Sequence, residues 1–392
     1  MPPLHDEFIH NYALYMTIRN ILAPETDYHL LAQQLHIDAE ILIALRDTRY
    51  LQGRKPVLKL GNLHLVWEYA QDSRDHHRFV QMLRVTPEVF DVLLILIRDH
   101  PIFQSNSNRP QAPVQEQLAV TLFRLGRYGN GASVMDVARQ AGISEGSVIN
   151  YTDRCFTAIE SLQKTFIRNL TSEEKEIERQ WIDDQLGFTG GHWRDGWLMY
   201  DGTIVVLYKR PDMDGDAYYT RKGNYGLNVQ IGNTPSNLRI VDFSHGMTGS
   251  AHDASAFEHT AAAKYPDWLF EGEEFAWTDS AYTVNRRTIP VHKEPASFHP
   301  DNILFDTTVS HIRVRSEHCM GTLKSRVQCL RGLRVRICNN RDHVAAMRWI
   351  TVCCILHNCK GNLRRVWLKG STSSRGGSKD NKSKDSLCWG DE

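Results

Sequence analysis

A single acid, Asp201, interrupts an otherwise apolar stretch of the sequence. The apolar runs 197–200 and 204–207 on either side of it are typical of a buried strand. An unpaired carboxylate inside such a strand costs several kcal/mol, so Asp201 requires a partner. That partner can be a cationic side chain, the amides of a turn at Asp201-Gly202, or a metal ion. Asp-Gly is a common turn pair, so the turn is a serious alternative.

Three further acids lie near the ends of elements or on an apolar face in the region that follows. Asp253 opens a predicted helix, and Asp279 ends the stretch "FAWT". Glu317 lies in a predicted helix whose apolar stripe is formed by Met320, Leu323, Val327 and Leu330. It precedes Met320 by three residues, which predicts that its carboxylate points the same way as this stripe.

Carboxylates from adjacent strand ends and a neighbouring helix can bind Mg²⁺ or Mn²⁺ together. Two such ions can activate a water and stabilise a leaving alkoxide during phosphodiester cleavage. We therefore expect Asp201, Asp279 and Glu317 to converge, with Asp253 nearby. Taken singly, each acid has an ordinary alternative: Glu317 has Arg313 one helical turn away, and Asp253 is well placed to cap a helix.

The elements that must position these acids alternate between strands and helices, which predicts an α/β or α+β layer domain. A helix is predicted at 251–259, and helical patterns return after residue 309. The predicted strands are 196–201 with its continuation 203–208, 226–232, 238–245 and 273–280.

The preceding part of the chain is helical in pattern and contains a candidate helix-turn-helix. A helix from Val134 to Gln140, a short turn, and a second helix from about Glu145 capped by Ser144 have the spacing of this motif. The alternative is an αα-hairpin that serves only for packing.

The composition is that of an ordinary soluble protein with an uneven charge distribution. The 392 residues include 46 basic and 46 acidic ones, yet residues 311–348 hold nine Lys and Arg against two acids. This segment is either a surface for a polyanion or a solvated helix face. The eight scattered cysteines favour a reducing compartment, and no apolar run approaches the length that spans a bilayer.

The segment "CCILHNC" contains a second set of residues that could bind a metal ion. Its Cys353, Cys354, His357 and Cys359 could bind zinc, but they lack the usual zinc-ligand spacing. The same residues fit the buried face of a helix, because free cysteine is a common core residue. We predict a core helix here.

Six sequence blocks occur in an order that resembles PIF/Harbinger-type transposases and the Harbinger-derived nucleases. They are "YDGT" (200–203), "RKGNYGLNVQ" (221–230), "GMTGSAHDASAF" (246–257), "TDSAY" (278–282), "RVRSEHCMG" (313–321) and "CCILHN" (353–358). The resemblance implies an RNase H-like nuclease domain preceded by the helix-turn-helix region. It also implies a DDE-type endonuclease or transposase that depends on Mg²⁺ or Mn²⁺.

The resemblance assigns roles to the four acids. Asp201, Asp279 and Glu317 match the catalytic, metal-binding acidic triad, and Asp253 matches an additional candidate metal ligand. Three positions depart from the family's usual residues: Thr278 replaces a glycine, His318 an arginine, and Met320 an aromatic residue. The rival interpretation is a catalytically inactive, transposase-derived protein that binds DNA or other proteins.

The resemblance also suggests an organisation, partners and a location. Read from the residues themselves, the candidate DNA-binding residues are Arg221 and Lys222, for which a surface turn is an equal alternative, and Lys324, Arg326 and Arg331 of the basic segment. The implied partners are DNA, a separate Myb-like helper protein and further copies of the chain, with no membrane. The implied location is the nucleus, with the cytoplasm as the alternative. The predicted organisation is an N-terminal helical region 1–110, a helix-turn-helix 111–170, a linker 171–195, a nuclease domain 196–361 and a disordered tail 362–392.

Overall fold

A computed structural model describes residues 4–48, 60–105, 108, 110–187 and 191–361. The chain divides into two units, Met1–Leu58 and Lys59–Glu392, and each is described by itself. The predicted tail 362–392 lies outside the described residues. The predicted boundaries at 110, 170 and 195 stay predictions.

The first unit is a pair of helices, α1 (Leu4–Leu22) and α2 (Tyr28–Asp47). Asp27 caps α2 by accepting hydrogen bonds from the backbone amides of His29 and Leu30. Between the helices, the buried carboxylate of Asp38 accepts bonds from Arg19 and Tyr12, which fixes how the two helices pair.

The second unit is built around one five-stranded sheet. Its strands are β1 (Leu198–Val206), β2 (Gly226–Asn233), β3 (Ile240–Thr248), β4 (Ala276–Thr278) and β5 (Thr288–Pro290). Their order in the sheet is β3-β2-β1-β4-β5. The strands β1, β2 and β3 pair antiparallel, whereas β4 pairs parallel with both β1 and β5. The mixed α/β architecture is as predicted.

Helices surround this sheet and precede it in the chain. They are α3 (Leu65–Gln71), α4 (His76–Leu83), α5 (Pro87–Ile97), α6 (Val114–Leu125), α7 (Val134–Ala141), α8 (Glu145–Glu160), α9 (Gln163–Phe166), α10 (Ser172–Leu186), α11 (Asp253–Phe257), α12 (Ala261–Lys264), α13 (Pro266–Leu269), α14 (Pro300–Arg326) and α15 (Asn340–Gly361). Within the described ranges, none of the helices combines the length and the apolar character needed to cross a membrane.

The helices of the candidate helix-turn-helix form at the predicted positions. Ser133 and Ser144 cap α7 and α8 through their hydroxyl oxygens, and Gly142 ends α7 with a φ of 67°, a left-handed conformation that glycine adopts without strain. The helix α8 packs against α15, and Arg348 of α15 donates a hydrogen bond to Asp153 of α8. Whether this helix pair binds DNA stays a prediction.

The segment 171–195 holds a helix that is anchored by buried charges. Thr171 and Glu174 form a capping box at the start of α10. Lys175 and Glu274 are both buried and form an ion pair of 2.8 Å, which ties α10 to the chain just before β4. This helix therefore belongs to the packed body of the second unit.

The cysteine-rich segment is a core helix, as predicted. Cys353, Cys354, His357 and Cys359 all lie buried on α15. Burial raises the pKa of the Cys354 thiol far above its ordinary value and lowers that of His357 to about 4. These groups are neutral parts of the core.

Candidate functional site

Asp201 lies in the middle of a continuous strand. β1 runs unbroken from Leu198 to Val206, and Asp201 pairs with Ile231 of β2. No turn forms at Asp201-Gly202, although the Asp201 Oδ1 atom does accept a bond of 2.8 Å from the Gly202 amide. The turn alternative is therefore wrong, and Asp201 is a half-buried acid inside the sheet.

Asp279 directly follows β4, the strand that pairs parallel with β1. The register pairs Met199 of β1 with Trp277 of β4. Asp201 follows Met199 by the same number of positions as Asp279 follows Trp277. Side chains alternate along a strand, so Asp201 shares the face of Met199. Asp279 is one of the neighbours that raise the pKa of Asp201, so the two carboxylates lie close together. Asp279 fixes one oxygen by accepting a 2.8 Å bond from the Ala281 amide.

Glu317 reaches the same region from α14, but not in the predicted manner. Its side chain is 61% exposed, so the expectation that it lies on the buried stripe is wrong. The predicted stripe is itself buried, including Met320 and Leu323, but along α14 it continues through Ile312, Ser316 and Cys319 and not through Glu317. Glu317 Oε1 lies 3.7 Å from the Arg313 Nη2 atom, and Arg313 Nη1 lies 3.8 Å from Asp201 Oδ2. Arg313 thus links the two acids.

Asp253 lies against the opposite face of β1. A Cβ atom placed on Gly202 would approach the Asp253 Oδ1 atom to 2.5 Å, so Asp253 lies on the Gly202 side of the strand. Asn228 and Gln230 of β2 donate bonds of 2.9 and 3.1 Å to the same oxygen. Alternation along β1 puts Asp201 on the other side, so the structure does not place Asp253 with Asp201 and Asp279 on one face.

The hydrogen-bonded group around Asp253 extends to a buried tyrosine that the sequence analysis did not single out. Tyr282 donates its hydroxyl proton to Gln230 Oε1, and this orients the Gln230 amide toward Asp253. The available signal was the alternation in 226–232, which places Asn228 and Gln230 on one face of a strand. Because both are buried, that face required polar partners.

The electrostatics of the site reflect a surplus of negative charge. The pKa of Asp201 is raised to about 6, mainly by burial and also by the neighbouring carboxylates of Asp279 and Asp253, although Arg313 acts in the opposite direction. The pKa of Tyr282 is raised strongly, first by burial and then by the same acids. A cation in this region would lower the pKa values of both Asp201 and Tyr282.

The donor chemistry of these acids fits a hard divalent ion. Asp201 and Asp279 each hold one oxygen in a bond to a backbone amide, which leaves the other oxygen for a cation. Across the described ranges, however, no three His, Cys, Asp or Glu side chains are already grouped to hold a metal ion. Binding would therefore require Asp201, Asp279 and Glu317 to draw together around the ion.

The candidate DNA-binding residues fall into three places. Burial lowers the pKa of Lys324 to about 8, and the positive charges of Lys222 and Arg331 contribute to this shift. These three cations therefore lie close together and form one cluster. Arg221 donates a bond to His252, next to Asp253. Arg326 is half-buried near His357, and the structure does not bring it to the others.

The basic segment 311–348 does not form one solvated face. Arg315 bonds the Pro235 and Ser236 carbonyls, Arg336 pairs with Asp212, and Arg348 pairs with Glu160. Three of its nine basic side chains are thus used in these internal contacts. Arg313 lies between Asp201 and Glu317, and Lys324 lies at Thr203 of β1.

Comparison with known families gives one match. Residues 200–358 match the family described as DDE superfamily endonuclease, over less than half of the chain. No curated protein and no solved structure matches the chain. The match suggests a transposase-type nuclease and agrees with the resemblance at the level of the superfamily. All four acids and Arg313 lie within the matched segment.

Proposed function

We propose that this protein is an endonuclease that hydrolyses DNA phosphodiester bonds with a divalent metal ion, Mg²⁺ or Mn²⁺, bound by Asp201, Asp279 and Glu317. The PIF/Harbinger subtype, the RNase H-like arrangement of the fold, strand transfer, a nuclear location and a Myb-like helper belong to this proposal. The family match supports the reaction class.

The observation that carries the proposal is the placement of Asp201 and Asp279. Asp201 lies on β1, and Asp279 directly follows the adjacent parallel strand β4, near enough for its carboxylate to raise the pKa of Asp201. Two carboxylates in such a position repel each other, which is costly unless a cation or a proton is bound. Asp253 is the candidate ligand that the geometry supports least, because it lies behind Gly202.

The chain's own residues would bind and orient the DNA backbone next to these acids. Lys324 donates to Thr203 Oγ1 and the Ile204 carbonyl, which holds its ammonium group on β1 close to Asp201 in the sequence. Its third N–H can reach a phosphate, with Lys222 and Arg331 adding positive potential. When bound, the divalent ion would supply activation of the attacking water and neutralisation of the leaving oxygen.

A cleavage assay on a supercoiled plasmid with Mg²⁺, Mn²⁺ or EDTA tests this proposal. Wild type should nick the plasmid only with metal. Asp279→Asn and Glu317→Gln should each reduce the rate at least about 100-fold, the upper range for loss of a metal's outer-shell partner. Asp99→Asn, at an exposed acid beside Arg98, is the control. Metal-independent cleavage, or full activity in both variants, would contradict the assignment.

The inactive, DNA-binding alternative has one observation in its favour: the described acids are not grouped around a metal position. It predicts salt-dependent DNA binding without any cleavage and without Mn²⁺ binding. Isothermal titration with Mn²⁺ in the absence of DNA separates the two functions.

Lys324→Gln tests the DNA surface. If Lys324 contacts one phosphate, the variant should bind DNA more weakly, and the slope of log affinity against log salt should fall by about 0.9. Wild-type binding should also weaken between pH 7 and 9, because the pKa of Lys324 is lowered to about 8 and the neutral amine loses its attraction for phosphate. Lys164→Gln, at an exposed lysine of α9, is the matched control. An unchanged salt slope would remove Lys324 from the interface.

A further inference from the structure

Arg313 makes unusually loose contacts for a half-buried arginine. Its two nearest acidic atoms, Asp201 Oδ2 and Glu317 Oε1, lie at 3.8 and 3.7 Å, beyond hydrogen-bond distance. Its Nε atom is buried without a hydrogen-bond partner among the described residues. Arg315, on the same helix, shows the ordinary structural pattern, with direct bonds of 2.7 and 3.0 Å to two backbone carbonyls. Arg313 is therefore held by charge rather than by bonds.

The charge that holds Arg313 is that of the proposed metal ligands. In the described part of the chain, it is the cationic side chain within ion-pair distance of Asp201 and Glu317. The two oxygens that it faces are free of other hydrogen bonds there, so they are the atoms a divalent ion would use. A guanidinium group and a divalent ion would thus compete for the same oxygens.

We propose that Arg313 is the internal counter-ion of this acid cluster in the metal-free protein, and that it moves aside when a divalent ion binds. The inference rests on the proposed function, because it takes Asp201 and Glu317 to be metal ligands. Because these ion pairs lack hydrogen bonds, a divalent ion can take over the neutralisation of the acids from Arg313 with little net loss of stabilisation. Until then, it offsets the repulsion between the acids and lowers the apparent affinity for metal.

Mn²⁺ titration calorimetry without DNA, combined with thermal melts, tests the inference independently of cleavage. Arg313→Gln removes the charge but keeps much of the side chain. It should melt at a lower temperature in EDTA and should bind Mn²⁺ about tenfold or more tightly, because a positive charge next to the ion is gone. Arg313→Lys keeps the charge and should resemble wild type. Arg74→Gln, at an exposed arginine paired with Asp72, controls for charge removal elsewhere.

The outcomes distinguish this inference from the proposed function. If wild type binds Mn²⁺ and Arg313→Gln binds it equally or less tightly, the counter-ion role is overturned while the metal site stands. If neither protein binds Mn²⁺, the metal site itself fails and takes the inference with it. Binding by Arg313→Gln alone would support the inference in its strongest form.

A charge-balanced variant covers the case in which Arg313→Gln does not fold. The double variant Arg313→Gln with Glu317→Gln removes one charge of each sign. It should recover much of the melting temperature in EDTA, since the remaining repulsion is smaller. A double variant as unstable as the single one would show that Arg313 stabilises the fold by other means, and would overturn the inference.

Discussion

Asp201→Asn should stabilise the metal-free protein at neutral pH. The pKa of Asp201 is raised from 3.8 to about 6 by burial and by the neighbouring acids, so the folded state binds its proton more tightly than the unfolded state. The contribution of Asp201 to the free energy of unfolding is therefore fully present below pH 4 and is lost as the pH rises to about 6. Asparagine keeps the size of the side chain without the charge.

The difference between these pKa values sets the size of the effect. A shift of about two units corresponds to about 3 kcal/mol, which is the upper limit of the gain at pH 7.5 in EDTA. The gain should raise the melting temperature by up to roughly 5 °C in a protein of this size. Near pH 4 the two proteins should melt together. With Mg²⁺, wild type should gain stability and Asp201→Asn should gain much less.

Thermal melts at pH 4.5, 6 and 7.5, each with EDTA and with Mg²⁺, provide the assay. Asp99→Asn, at an exposed acid, should change the melting temperature little at any pH. A lower melting temperature of Asp201→Asn at pH 7.5 in EDTA would refute the reasoning, because it would make Asp201 a stabilising partner of Arg313. An equal Mg²⁺-dependent shift in both proteins would show that Asp201 is not a metal ligand.

Two further variants test the other face of β1. Gly202→Ala should destabilise the protein by about 1–3 kcal/mol because its new methyl group meets the Asp253 carboxylate. Gly131→Ala is the control, because nothing lies within 4 Å of the added atom. If urea denaturation gives both variants the same free energy of unfolding, the position of Asp253 behind Gly202 is contradicted. Tyr282→Phe should lose about 1 kcal/mol with the bond to Gln230 and should slow cleavage while the protein stays folded. Unchanged stability and cleavage would remove Tyr282 from the support of the site.

The sheet part of the site could be predicted because its signal is local. A strand pattern with an acid in its middle is visible in the sequence around Asp201, and the ends of parallel strands meet at one edge of a sheet. The short strand β5 (Thr288–Pro290) was missed, since three residues ending in proline carry no alternation.

The helical part of the site could not be predicted in detail because polar residues form part of the buried face of α14. Ser316 is fully buried and donates a bond to Asn233, so an inward position carries a hydroxyl rather than an apolar group. The apolar spacing from Met320 onward correctly predicts a buried stripe, but toward the start of the helix the stripe continues through Ser316, so extending it to Glu317 placed this acid inward. The link from Glu317 to Asp201 runs through Arg313, and only the tertiary structure reveals this contact.

The position of Asp253 shows a similar limit: a sequence block predicts that an acid lies near the others, but not on which face of the sheet. The block "GSAHD" predicted an acid near the others, and the electrostatic influence of Asp253 on Asp201 agrees with this proximity. The face on which Asp253 lies depends on Gly202, whose missing side chain leaves room for the carboxylate. Only the packing of α11 against β2 and β3 reveals that arrangement.

Diffraction from a crystal of the protein soaked in Mn²⁺ tests the central claim most directly. The anomalous signal should show an ion bound by Asp201 and Asp279, with Glu317 drawn toward it and Arg313 displaced from between the acids. A saturating soak that leaves no anomalous peak at these carboxylates, with Arg313 still facing Asp201 and Glu317, would contradict the claim that this cluster is a metal site.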